Sequence, residues 1–134
     1  MGKDFFWIYM LRCSNNSYYT GYTVNLTRRY WQHLNKKGNA KYTGAFHPEE
    51  IACCWLLRDT KGTALKIEHL LRKKSRTIKD DLVHNPDRLK EMATGYLGSD
   101  VDIVPFDPRR VEQEVSLHER CPRHDPFNSG ENLR

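Results

Sequence analysis

Apolar residues along the first part of the chain fall into short blocks whose internal spacing changes from block to block. FFWIYMLRC, Phe5 to Cys13, is aromatic and β-branched, SNNS is a turn signal, and SYYTGYT, Ser17 to Thr23, is a second strand-like run, so the pair predicts a β-hairpin. Asn25 is placed to cap a helix that starts at Leu26. At about 100° per residue, Leu26, Tyr30 and Leu34 fall at about 0°, 40° and 80°, while His33 and Arg29 fall at about 340° and 300°. Arg29 and His33 therefore project together along one edge of a compact apolar face. Trp31, at about 140°, lies off that face and is a candidate either for packing or for stacking on a base. After the loop KKGNAKYTGAFHPEE, the continuous run IACCWLL predicts a buried strand, and DTKGTALKIEHLLRKKS predicts a helix from near Lys61 to Thr63 into the mid-seventies.

That second helix holds an anomaly. Ala64, Leu65, Ile67, Leu70 and Leu71 cover an arc from about 240° through 0° to 100°, and Glu68 falls inside it at about 40°. A carboxylate thus points toward the core side, amid Lys66, Arg72, Lys73, Lys74, Arg76 and Lys79. Its simplest partner is Arg72, four residues on. Beyond about residue 85 the chain is rich in acids, prolines and turn residues, with at most one short helix expected near Pro108 to His118.

Charge sharpens this division. Residues 1–79 hold 15 Lys and Arg against 5 Asp and Glu, and residues 80–134 hold 7 against 12. Between Phe5 and Pro48 there is no acid, while Arg12, Arg28, Arg29, Lys36, Lys37 and Lys41 all lie there. Such a surface attracts polyanions, because neutralising phosphates releases condensed counterions. With 134 residues, 38% of them hydrophobic, the chain suits one modest domain. The N-terminal apolar run carries Arg12 and is too short for a membrane span or secretory signal, which points to the cytoplasm, or the nucleus in a eukaryote. Cys13, Cys53, Cys54 and Cys121 include no CxxC pair, so buried or free thiols are expected. His118, Cys121 and His124 have ligand-like spacing, but no fourth ligand stands nearby.

The set WIY (Trp7, Ile8, Tyr9), then YTG (Tyr19, Thr20, Gly21), then Arg29, His33 and a helix bearing Glu68, resembles the GIY-YIG nuclease superfamily, and within it the small stand-alone members. NAKYTGAFHP, Asn39 to Pro48, resembles a loop of that subgroup. Trp7 stands where the name-giving motif has glycine, and Thr20 where it has isoleucine. The resemblance implies an α/β (α+β) fold in residues 1–84, a three-stranded antiparallel sheet flanked by helices, while composition and charge set off residues 85–134 as an acidic, partly irregular extension. It also implies metal-dependent cleavage of DNA phosphodiesters. Carried over by position, Tyr9 and Tyr19 face the active site from paired strands, Arg29 binds the scissile phosphate, His33 is a second polar group, and Glu68 holds one divalent ion, Mg2+ or Mn2+. Arg28, Lys36, Lys37, Lys41, Arg72 and Lys73 would contact the nucleic acid backbone.

The chemistry of the residues is consistent with that role. Hydrolysis of a phosphodiester needs an activated water, a cation for the charge growing on the phosphoryl oxygens, and stabilisation of the leaving oxygen. A guanidinium such as Arg29 grips two phosphate oxygens in a fixed fork and stays charged. Magnesium is commonly held by one or two carboxylates plus substrate oxygens and water, so Glu68 alone suffices. Tyr19, with an ordinary pKa of about 10, and His33, at about 6.5, are rival bases. Tyr9 and Tyr19 also suit plain sheet packing, and Gly21 either a bulge or close approach of a ligand. Two functions compete: a structure-directed or weakly specific DNA endonuclease of repair, recombination or mobile elements, and a nucleic-acid-binding module of the same fold that does not cleave. For the tail, Asp100, Asp102, Asp107, Glu112 and Glu114 could cover the basic face. The favoured alternative packs it elsewhere through Tyr96, Leu97, Ile103, Val104 and Phe106.

Overall fold

The computed structural model describes residues 2–35 and 46–118. Lys36, Lys37, Lys41, the stretch 39–45, Cys121 and His124 lie outside the described residues, as does the side chain of His118. The hairpin forms as expected, from β1 (Asp4–Cys13) and β2 (Tyr18–Thr23), paired antiparallel with Tyr9 opposite Gly21. Asn15 and Asn16 make its turn: Asn15 Oδ1 accepts from the Ser17 hydroxyl at 2.6 Å, and Asn16 takes a left-handed φ of 65°, which a short amide side chain tolerates. Asn25 caps α1 (Leu26–Asn35), its side chain accepting from Arg28 N–H at 3.1 Å.

The third strand, β3 (Pro48–Asp59), pairs with the other edge of β1. Thr60 then caps α2 (Lys61–Arg72) by accepting from Thr63 N–H. The helix expected to run into the mid-seventies stops at Arg72, because Ser75 caps a new helix, α3 (Arg76–His84), through a bond from Ile78 N–H. The expectation of three strands is corrected to four: the extension forms α4 (Arg88–Leu97), β4 (Asp102–Phe106) and α5 (Pro108–His118), and β4 joins the sheet in the order β2-β1-β3-β4. Nor is that segment confined to one short helix. Two of its prolines sit where regular structure admits them, Pro105 on an edge strand and Pro108 at the first position of a helix, so neither breaks the element it belongs to.

Both faces of the two central strands are covered. Phe6, Ile8 and Met10 pack under α2, α3 and α4, joined by Trp55 and Leu57. Tyr9, Leu11, Ile51 and Cys54 pack under α1 and α5, against Tyr30, Trp31 and Val111. Trp31 is only 1% exposed, which removes it as a base-stacking residue. The core side of β1 is thus two-sided, which is why its sequence reads as a continuous apolar run rather than an alternating one. Cys13, Cys53 and Cys54 are buried free thiols, raised above the usual cysteine range chiefly by that burial. No helix of the described residues is long and apolar enough to cross a membrane.

Two of the tail's acids, Glu112 and Asp100, have partners away from Arg28 and Arg29. Glu112 Oε2 accepts from Ile51 N–H at 2.7 Å, near the register shift between Met10 and Leu11 in the β1/β3 ladder. Glu112 Oε1 also pairs with Arg109 at 2.6 Å, and Asp100 with Lys90 at 3.7 Å. Ile103 is buried and Leu97 and Phe106 are half-buried, whereas Tyr96 and Val104 are exposed, so packing runs through only part of the expected set.

Candidate active site

Tyr9 projects from the centre of β1 toward α1, and its ring passes over Gly21 on β2. An added Cβ at Gly21 would stand 2.6 Å from the Tyr9 hydroxyl and 2.7 Å from its Cζ. The glycine therefore makes room for a neighbouring phenol, not for a bulge or a ligand; the β1/β2 register is unbroken there. Beyond Gly21 the Tyr9 hydroxyl meets His33 Nε2 of α1 at 3.0 Å. Tyr19, two residues from Gly21 on the same strand face, brings its ring centroid within 5.0 Å of His33 and 6.3 Å of Tyr9.

Burial sets the protonation of this group. His33 is fully buried, and its imidazole is pushed down to about 3, first by loss of water and then by the nearby charge of Arg29. It is uncharged at neutral pH. Burial raises the Tyr9 phenol above its ordinary range, Tyr19 adds to the rise, and the Arg29 guanidinium beside it offsets part. Tyr9 thus keeps its proton, and the Tyr9–His33 contact is a neutral bond in which the phenol donates, or Nε2–H does in the other tautomer. Arg29 itself is half-buried and donates to Gln32 Oε1 at 3.0 Å.

Glu68 approaches from α2, which packs on the opposite layer and also against β2. It is buried, and Arg72 pairs with its carboxylate, so the i,i+4 ion pair forms. The charge of Glu68 acts on Tyr9, and Tyr19 acts on Arg72, so the two layers meet electrostatically around the β2 edge. There a cavity of about 320 Å3 opens, lined by Tyr18, Tyr19, Thr20 and Arg72. Arg28 on α1 is half-buried and Lys73 is exposed beside Arg72. A cavity of about 710 Å3 lies away from these groups, among the Arg12–Glu50 and Arg109–Glu112 pairs, whose charges already satisfy one another.

Sequence reading missed a clamp on β2. The Tyr18 hydroxyl donates to Asp80 Oδ1 at 2.7 Å, Arg76 Nε donates to the same oxygen at 3.0 Å, and the Arg76 guanidinium lies 4.4 Å over the Tyr18 ring while also bonding Asn16 O. The i,i+4 spacing of Arg76 and Asp80 was a visible signal; their junction with Tyr18 was not. Thr20, on the other side of the strand, buries a hydroxyl that finds no partner among the described residues.

Among the described residues no three His, Cys, Asp or Glu side chains gather into a metal cage. Magnesium needs none, since it retains water and takes substrate oxygens, and a single buried carboxylate such as Glu68 fits that mode.

The GIY-YIG catalytic domain family model matches residues 5–80. A UPF0213 protein of Syntrophus aciditrophicus is 36% identical over 90 residues, covering 66% of this chain and 100% of that protein. A UPF0213 protein of Cupriavidus necator is 43% identical over 81 residues, covering 59% of this chain and 85% of that protein. Another, of Natronomonas pharaonis, is 38% identical over 77 residues, 58% of this chain and 88% of that protein. Those names state no activity, and no solved structure matches at comparable significance. The family match runs from β1 into α3 and takes in Tyr9, Tyr19, Gly21, Arg29, His33 and Glu68, and the chain belongs to the GIY-YIG nuclease family, with small UPF0213 proteins among its relatives.

Proposed function

We propose that the protein is an endonuclease that hydrolyses DNA phosphodiester bonds with the help of a divalent cation. The observation that carries this reading is the convergence of Tyr9, Tyr19, His33 and Arg29 from β1, β2 and α1 toward an edge that Glu68 reaches from the opposite layer. Arg29 grips the scissile phosphate. Tyr19, at the cavity, takes the proton from the attacking water as a phenolate, its own hydroxyl proton having passed to solvent, while His33, fully buried and weakly basic, serves to hold Tyr9 in place. Glu68 would hold Mg2+ or Mn2+, which when bound supplies a cation for the developing phosphoryl charge. Arg28, Arg72 and Lys73 meet the flanking phosphates. Cleavage in repair, recombination or mobile-element biology, with structural or weak sequence preference, belongs to the same reading.

One observation favours a non-cleaving binding module: Arg72 already satisfies Glu68, giving the carboxylate a structural role that needs no metal. Single-turnover cleavage of branched, nicked, single-stranded and duplex DNA by the wild type and Glu68→Gln, with magnesium and with chelator, separates the two. Magnesium-dependent cleavage lost in Glu68→Gln supports the enzyme. Equal behaviour of both proteins, or activity indifferent to chelator, overturns the single-metal reading.

A further inference from the structure

Glu68 and Arg72 share an ion pair but not an environment. The helical period puts residue 72 one turn beyond residue 68 on the same side of α2, so the two side chains meet. The Glu68 side chain is 9% exposed and that of Arg72 62%, because the first lies on the buried face and the second is the last residue of the helix. A carboxylate at that depth needs a cation beside it, since loss of water disfavours its charged form. Among the described residues Arg72 supplies that cation, through one contact of Nη2 with Oε2 rather than a two-pronged fork. Arg72 also lines the cavity of about 320 Å3 beside Tyr18, Tyr19 and Thr20.

The elements around Arg72 offer it no second carboxylate. Apart from Glu68, the acids of α2 and α3 are Asp80 and Asp81, and β2 holds none. Asp80 already accepts from Tyr18 and Arg76, and Asp81 pairs with Arg88. Lys79 Nζ donates to the Arg72 carbonyl at 3.1 Å, and its ammonium is held below the usual lysine range, first by burial and then by the charges of Arg72 and Arg76. The Arg72 backbone is thus tethered, while its charge stands in a crowd of like charges. Once off Glu68, the guanidinium takes its next anion from outside the chain.

We propose that Arg72 is a latch on Glu68, an inference that rests on the nuclease reading above. In the free protein it covers the carboxylate; when a DNA strand reaches the cavity it exchanges Glu68 for a phosphate, which opens Glu68 to the divalent cation. The Arg72–Glu68 pair is then the resting state of the site. A guanidinium and a divalent ion cannot share one carboxylate without facing each other as like charges a few ångströms apart. A phosphate offers two oxygens to the guanidinium fork in place of the single contact with Glu68, and an ion pair with one mostly exposed partner is weak enough to give way. DNA therefore tightens binding of the ion, and by linkage the ion tightens binding of DNA by the same factor. The free protein holds its cation loosely and is loaded on its substrate.

Two measurements without turnover test the latch, both on the full chain. The first is a double-mutant cycle on affinity for a fluorescently labelled branched DNA in the presence of EDTA. Glu68→Gln should tighten binding about tenfold, because it removes a charge and frees Arg72 together, but only about twofold in an Arg72→Gln background. The slope of log K against log salt should steepen by about one contact only where Arg72 is present. The second is titration of the DNA-free protein with Mn2+, followed by electron paramagnetic resonance. Arg72→Gln should bind Mn2+ about tenfold more tightly than the wild type, and Lys74→Gln, which removes the same charge from a neighbouring residue, should change affinity by less than about twofold. Equal gains from Glu68→Gln in both backgrounds, equal Mn2+ affinities of the wild type and Arg72→Gln, or an equal gain in Lys74→Gln each overturn the latch. They leave the nuclease reading standing as long as Glu68→Gln abolishes Mn2+ binding. Mn2+ binding indifferent to Glu68→Gln, or failure of all these proteins to bind DNA, overturns both. Should Glu68→Gln fail to fold, as its melting curve would show, the comparison of Arg72→Gln with Lys74→Gln still decides, because the Arg72 side chain is mostly exposed.

Discussion

Gly21 and Tyr9 face each other across the β1/β2 ladder, and the phenol of one occupies the volume where the other would carry a side chain. Everything the site does with Tyr9 depends on that gap, since the hydroxyl reaches His33 at 3.0 Å only by lying over the glycine.

Gly21→Ala should therefore push Tyr9 off His33. The expected cost is about 1–3 kcal/mol, typical of overpacking, read by urea unfolding. In a Tyr9→Leu background, where the crowded atoms are gone, the same change should cost much less. Additive costs in the double-mutant cycle would show that the two residues do not share this volume.

Acid should destabilise the protein through His33. Its folded pKa, about 3, lies below the ordinary 6.5, so between those values the unfolded chain binds a proton that the folded chain refuses. Stability is fully present above about 6.5 and falls as the pH drops toward about 3, by at most about 1.4 kcal/mol per pH unit from this group. Urea midpoints between pH 4 and 7 should slope less in His33→Gln; identical slopes would rule His33 out as the source.

Tyr19→Phe should lower the cleavage rate by about 100-fold or more, beyond the loss in His33→Ala, if the phenol accepts the proton. Arg29→Ala and Glu68→Gln should abolish cleavage, with DNA binding kept or improved in Glu68→Gln because a negative charge is lost. A larger loss in His33→Ala than in Tyr19→Phe would transfer the base to the imidazole.

Removal of the extension should unfold the chain, not release its basic face. A chain ending after His84 loses the buried Leu89, Ile103, Val111 and Val115, each worth about 1.5–3 kcal/mol, against a total stability of about 5–15 kcal/mol. Within the full chain, Glu112→Ala should cost about 1–3 kcal/mol by orphaning Ile51 N–H. Circular dichroism melts decide both; a cooperative melt of the truncated chain would contradict the first.

Thr20→Val should stabilise the protein by about 1 kcal/mol, because it replaces a buried hydroxyl without a partner among the described residues by a methyl group of similar size. An unchanged or lower melting temperature would mean that the hydroxyl is satisfied in solution.

Local signals fixed much of this protein. The hairpin, the Asn25 and Thr60 caps, the helical faces and the inward turn of Glu68 follow from side-chain period and capping chemistry, which act within a few residues and so can be read along the chain. The pairing of Glu68 with Arg72 was legible for the same reason. Tertiary structure decided what depends on residues far apart. Gly21 is needed because of Tyr9, which only strand register brings opposite it. Trp31, off the apolar face of an isolated helix, is buried by a second layer. The extension looked irregular because each of its elements is short and bounded by proline or acid. It becomes regular because Ile103 and Val111 find apolar surface on a sheet already formed, and burial there outweighs weak local propensity.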